Sequence, residues 1–246
     1  MTLTKLPIAT KASSQFLSQA IKSSNSSYKI LYFNLHARAE VTRTLLAFSG
    51  AKWEEISIDW ATQKEQTPFQ CIPVLYETTA DGTILQIGET EVIERYLAKK
   101  FNLLGQNEWE QLMIEQYHSS TLALQVMYRQ NFLFSPPEKR VESATSFYND
   151  IFKKFVTVHE RYLEKNGSNG HYIGQHLSLA DIKTTSFLDR MTFLNPEGAD
   201  LPVSAEKTPN LWKVREAVNS HPNIVAWNTS QRHQELDNLT ATKFKK

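Results

Sequence analysis

The chain has 246 residues, a formal net charge of +1 at pH 7, and neither an excess of Gly nor of Pro. That length can bury a substantial core in one large or two ordinary domains without metal or disulfide staples. The near-zero charge, with no Lys/Arg cluster interleaved with aromatics, argues against a polyanionic partner such as nucleic acid. The single cysteine, Cys71, excludes an internal disulfide and a Cys-based zinc knuckle and suits a reducing compartment; no apolar run reaches the roughly 18 residues of a membrane span.

Residues 1–27 differ in kind from the rest of the chain. They are rich in Ser and Thr and carry Lys5, Lys11 and Lys22 with no acidic residue. Three readings fit: a flexible extension, an organelle leader of the mitochondrial type, or a short docked helix over Thr10–Lys22 using Phe16, Leu17, Ala20 and Ile21.

From Tyr28 to Gly50 the pattern is a strand, a polar break at His36–Arg38, and a helix marked by Val41, Leu45, Leu46 and Phe48. A phenol at the end of such a strand, Tyr32, either faces whatever the turn binds or is an ordinary alternating strand residue. A second strand is predicted over Glu54–Ile58 and an irregular, Pro68-punctuated segment over Thr62–Gln70. Ile72, Val74 and Leu75 start a third strand, Asp81-Gly82 signals a hairpin, and Ile84–Ile87 returns as a fourth. Pro73, at the entrance of an apolar strand, is compatible with a trans or a cis bond. A helix is expected over Glu91–Lys100 with Thr90 as N-cap and Val92, Ile93, Tyr96 and Leu97 on one face. Gly88-Glu89-Thr90 is either a plain capped helix start or a receptor for the zwitterionic end of an amino acid, with helix N–H groups for its carboxylate and Glu89 for its ammonium.

The order is βαβ followed by ββα. That suggests a thioredoxin-like half, because the last two strands form a hairpin and no Gly-rich nucleotide fingerprint separates strand from helix. This domain is expected over residues 28–105 and an all-helical one over 106–246. In the latter, a long helix runs from Trp109 through Tyr117, Leu124 and Met127. A second, after Pro136-Pro137, buries Val141, Phe147, Tyr148, Ile151, Phe155, Val158 and Leu163. Leu177–Asp181 reads as a capping box, Ser178 with Asp181, plus a hydrophobic staple, launching the central helix. Asn195–Pro209 is a predicted surface excursion, Leu211–Val218 and the segment after His221-Pro222 are helices, and the tail from Asn238 is expected to be loose. His159, His171, His176, His221 and His233 lack metal-ligand spacing, so no metal is expected.

With these residues in order, the chain resembles the cytosolic glutathione transferases, and YFNLHARAE looks most like the sigma class. The likeness spans Tyr28 to about Gln231 and rests on the LYF…RAE start, the IPVL segment and the LSLAD box. It implies a thioredoxin-like domain followed by an all-α domain, glutathione as co-substrate, a homodimer, and a cytoplasmic enzyme, or a mitochondrial one if the leader targets it. It further implies that Tyr32 donates to the glutathione sulfur, with Phe33 and Arg38 beside it. Trp60 and Lys64 would hold the glycyl end, Ile72 and a cis Pro73 the cysteinyl part, and Glu89 and Thr90 the γ-glutamyl end. A small apolar electrophile is expected near Leu35, His36, Tyr117, Thr121 and Tyr128. His36-Ala37 stands where the family commonly has arginine-glycine, Glu89-Thr90 where it has glutamine-serine, and Ser119 where sigma enzymes place an aspartate. Three activities share this framework: conjugation by the thiolate, a glutathione-dependent isomerisation of the prostaglandin-synthase type, or a structural role. Disulfide chemistry at Cys71 is a further, less favoured option.

Overall fold

The computed structural model describes residues 5–200 and 203–245, and divides into two compact units, Met1–Leu97 and Ala98–Lys246. The first holds a four-stranded sheet in the order β2-β1-β3-β4, from β1 (Ser27–Tyr32), β2 (Lys52–Ser57), β3 (Val74–Thr78) and β4 (Ile84–Gly88). β1 runs parallel to β2 and antiparallel to β3, and β4 is antiparallel to β3. With a helix between β1 and β2 and another after β4, this is the predicted βαβ-ββα arrangement.

The period-2 alternation of the strands sorts residues between two faces. One carries Tyr28, Ile30, Tyr32, Glu55, Leu75 and Glu77, and is covered by the helix Glu40–Ser49 and the helix Thr90–Lys100. The first helix reaches it through Arg43, whose Nε donates to Glu55 Oε1 at 2.6 Å. The second reaches it through Tyr96, whose hydroxyl donates to Glu77 Oε2 at 2.5 Å. Val92, predicted on the inner face of that second helix with Ile93 and Leu97, is instead exposed. The β3–β4 hairpin turns at Asp81-Gly82, as predicted: Gly82 takes φ +84°, and Asp81 accepts from Thr83 N–H at 3.0 Å.

The opposite face is covered by the leader. Leu6, only 7% exposed, packs in one cluster with Leu31, Ile56, Val74 and Tyr76, with Ile58, Ile72 and Ile84 against it. Thr10 N–H donates to Ile84 O at 2.8 Å, and Ile84 N–H donates to Thr10 Oγ1 at 2.9 Å, so the outer edge of β4 is partly capped. A short helix over Ser14–Ala20 comes next, capped by Ser13. Ser26 then donates to the buried Glu77 at 2.6 Å. The expectation of a flexible leader is therefore corrected to the docked form for residues 5–26; residues 1–4 lie outside the described ones. The reason is non-local: Leu6 supplies an apolar knob, and Thr10 two hydrogen bonds to the edge of β4, to a sheet distant in sequence.

The second unit is helical. Its boundary falls at Ala98, inside the helix that ends at Lys100 and not after Gly105. Leu103 donates to Ala98 O, and Leu179 N–H donates to Leu103 O at 2.9 Å, which ties the connecting segment to the helical unit. The long helix Glu108–Tyr128 continues into a wide, five-residue π turn over Arg129–Leu133. The second predicted helix is two, Arg140–Phe147 and Lys153–Lys165, joined through a π turn over Tyr148–Phe152. A π turn takes an extra residue and shifts the helical phase. Val141 and Val158, placed on the buried side by uninterrupted periodicity, accordingly emerge exposed, while Phe147, Phe152 and Phe155 stay buried.

The central helix, Leu179–Phe193, begins at the predicted capping box. The Asp181 carboxylate accepts from Ser178 N–H at 2.7 Å, Ser178 Oγ–H at 2.5 Å and Tyr172 N–H at 2.8 Å. Burial nevertheless dominates these bonds and raises its pKa to about 6. Helices Pro209–Asn219 and Pro222–Asn228 come after it; the predicted excursion over 195–209 contains Leu201 and Pro202, which lie outside the described residues. The tail expected to be loose is the helix Gln231–Phe244, anchored by buried Leu236 and Thr240 and by Arg140 donating to Phe244 O.

Candidate functional site

Strand register collects four segments at one end of the sheet. Tyr32, the last residue of β1, pairs with Ser57 at the end of β2; Leu31 beside it pairs with Val74, which pairs with Gly88. The chain leaves the sheet at that end as Phe33–Arg38, as Ile58–Lys64 and as Glu89–Thr90, and enters it there through Ile72–Pro73. The eight positions assigned to one tripeptide by the resemblance, together with Tyr32, are thus brought to one edge by topology.

Tyr32 is largely buried, and its hydroxyl oxygen accepts the backbone N–H of Arg38 at 3.2 Å. Its ring lies 5.7 Å from that of Phe33, which meets Trp60 edge-on at 5.9 Å, and Lys64 Nζ stands 5.8 Å from the Trp60 ring. Trp60 heads a four-residue helix, Trp60–Gln63, fixed by Asp59 accepting Ala61 N–H at 3.1 Å and by Gln63 Oε1 accepting Asp59 N–H at 3.0 Å. The Ile72-Pro73 bond is cis. Glu89 stands exposed at φ +66°, a conformation uncommon for a residue with a side chain and enriched at binding sites. Its carbonyl takes Ile93 N–H at 3.0 Å, so the cap position belongs to Glu89 and not to Thr90 as predicted. The free N–H groups of a first helical turn are suited to a carboxylate.

Sequence reading missed the polar network beneath the turn. Arg43 is wholly buried, with Nη2 2.6 Å from Glu55 Oε1 and Nη1 donating to Leu35 O at 2.9 Å and His36 O at 3.1 Å; Glu40 Oε2 lies 3.4 Å from the same nitrogen. His36 is also wholly buried, with Nδ1 2.5 Å from Glu40 Oε2. The guanidinium carbon of Arg43 lies 5.9 Å from the Tyr32 ring. A signal existed: Arg43 falls between Ala39 and Leu46 on the helix face that must be apolar, and a cation there needs partners. The turn itself is strained at Ala37, whose φ is +36°.

Of the five residues expected around the electrophile, Leu35 and His36 belong to the first unit and Tyr117, Thr121 and Tyr128 to the second. Leu35 is half-buried in the first unit, and His36 is taken up by Glu40. In the second unit Tyr117 stacks on Tyr172 at 4.7 Å, Thr121 bonds Thr184 at 2.9 Å between hydroxyls, and Tyr128 packs against Phe132, Phe147 and Phe187. All three are buried within the helical unit. Cys71 is exposed.

A family model described as "Glutathione S-transferase, C-terminal domain" matches residues 125–231. The hematopoietic prostaglandin D synthase of Gallus gallus is 30% identical over 208 residues, covering 81% of this chain and 94% of that protein. The S-crystallin SL11 of Nototodarus sloanii is 28% identical over 207 residues, 82% of this chain and 95% of its own length. Among solved structures, the sigma class GST of Fasciola hepatica superposes with a TM-score of 0.72 at 23% identity, over 85% of this chain and 97% of that one. With the fold, the order of motifs and these similarities in agreement, the chain belongs to the cytosolic glutathione transferase superfamily.

Proposed function

We propose that this protein is a glutathione transferase of sigma-like class that activates the thiol of bound glutathione and conjugates it to a small, mostly apolar electrophile. The observation that carries the reading is the convergence of Tyr32, Phe33, Arg38, Trp60, Lys64, Ile72-Pro73 and Glu89-Thr90 at one end of the sheet. Trp60 and Lys64 receive the glycyl carboxylate, Ile72 and Pro73 the cysteinyl part, and Glu89 with Thr90 the γ-glutamyl group.

The chemistry follows from Tyr32. A free thiol ionises near pH 8.5, so only a minority is thiolate at neutral pH. In this reading the Tyr32 hydroxyl, whose oxygen accepts Arg38 N–H, donates its proton to the sulfur. A hydrogen bond to the anion lowers the thiol pKa, each unit being worth about 1.4 kcal/mol. Leu35 is the one candidate near this turn, among those named for the electrophile, that is not buried.

The similarity to a protein named as a prostaglandin D synthase favours a second reading, in which the same thiolate opens a substrate and is released unchanged. Incubation with glutathione and an endoperoxide, followed by product analysis, separates an isomer from a glutathione adduct. We also propose a cytoplasmic homodimer. Exposed apolar side chains in each unit support the association: Phe69, 77% exposed, in the first, and Trp109 and Leu112 in the second. No helix among the described residues is long and apolar enough to cross a membrane. Glutathione titration into the purified chain tests the primary reading: saturable binding with conjugating activity supports it, and absence of binding overturns it.

A further inference from the structure

We infer that Leu6 and Thr10 are positioning residues for the glutathione site, and that the segment 5–26 is a permanent part of the sheet domain instead of a removable leader. This rests on the proposed role of Ile72 and Pro73 in holding the cysteinyl part of glutathione.

The two sheet faces are closed differently. One is covered by two full helices, whereas Leu6 enters the cluster on the other, among Leu31, Ile56, Val74 and Tyr76. Val74 follows Pro73 directly, and Ile72 packs on the same cluster. The side chains flanking the proposed cysteinyl contact are therefore supported from below by a residue of the leader. Thr10 adds a second attachment, exchanging two hydrogen bonds with Ile84, the residue where β4 begins its run to Gly88 and Glu89. Ser23 and Ser26 close the segment, Ser23 Oγ accepting from Ala80 N–H at 3.4 Å and Ser26 donating to Glu77. The leader thus touches β3 and β4: Leu6 on the face opposite the two helices, Thr10 at the edge of β4, and Ser26 on Glu77. Loss of Leu6 would leave a void under Ile72 and Val74, and close-packed interiors relax only partly into a void. The consequence is a shifted Ile72 backbone, so the tripeptide binds less well. Proteolytic removal of residues 1–27 would have the same effect in stronger form.

The test compares full-length wild type with Leu6→Ala, Leu6→Met and Leu97→Ala. Leu97 is fully buried in the other half of the sheet domain and serves as a control for general destabilisation. Glutathione Kd is measured by calorimetry, and amide exchange is followed at Ile72, Val74 and Ile84. Leu6→Ala should raise Kd about fivefold and speed exchange at those three amides, Leu6→Met should restore both because volume is conserved, and Leu97→Ala should lower Tm with Kd within about twofold of wild type. Unchanged Kd in Leu6→Ala, or faster exchange confined to residues 5–26, overturns the inference. Failure of wild type to bind glutathione at all would instead sink the functional reading, and the exchange measurement would still decide whether the leader supports Ile72 and Val74.

Discussion

The backbone N–H of Arg38 donates to the phenolic oxygen of Tyr32 across 3.2 Å. The residue whose side chain marks the turn in sequence thus acts on the tyrosine through its main chain, and the Arg38 side chain itself is exposed. Placement of that amide depends on the conformation of Leu35, His36 and Ala37, and so on the buried cation that binds two of their carbonyls.

Arg43 is that cation. Removing it in Arg43→Met leaves Glu40 and Glu55 partly buried without their shared partner, and truncating one side of a buried ion network costs about 3 to 5 kcal/mol. Arg43→Lys should recover little, because one ammonium cannot serve Glu55 and two carbonyls in the geometry of the guanidinium fork. Urea unfolding of both variants checks this; a loss below about 1 kcal/mol in Arg43→Met would show that the network is incidental.

Ala37 at φ +36° bears a cost that glycine does not. Ala37→Gly should stabilise the chain by about 1 kcal/mol, less the added entropy of the unfolded glycine, raising Tm by a few degrees. A lower Tm would mean that the methyl group makes packing contacts worth more than the strain.

Two buried groups in the helical unit oppose each other in pH dependence. Asp181, raised to about 6 from a usual 3.8, gives stability that is complete below pH 4 and is lost as pH rises through 6. His159 accepts or donates to Ser120 and Tyr172 in the core, and burial lowers its pKa to about 3 from 6.5, so its contribution is complete above pH 6.5 and is lost as pH falls towards 3. Between pH 4 and 6 the two slopes cancel. Stability of Asp181→Asn should therefore rise with pH across this window, and that of His159→Gln should fall, relative to wild type. Parallel slopes in the three proteins, from denaturant melts at several pH values, would contradict the assignment.

Much of the fold was legible because its signals are local. Alternation in Tyr28–Tyr32, the Asp81-Gly82 turn and the Ser178/Asp181 box each specify their own geometry, and the order βαβ-ββα then leaves few topologies. The candidate site was legible as a set of positions that strand register brings to one sheet end. What sequence did not show was non-local or phase-dependent. The π turn at Tyr148–Phe152 shifts Val141 and Val158 out of the core without any proline or glycine to announce it. Leu6 is buried by a strand far away in sequence, at Val74, and no periodicity in a short Ser-rich segment encodes such a contact.

The central claim is that Tyr32 holds the glutathione sulfur as an anion. Ultraviolet difference absorbance of the bound thiolate, titrated against pH for wild type and Tyr32→Phe, measures it directly. The expected result is a bound thiol pKa below the free value of about 8.5 in wild type, and a return towards that value in Tyr32→Phe. Turnover should fall about 10- to 100-fold with little change in glutathione affinity. Identical titration curves for the two proteins, both saturated with glutathione, would contradict it.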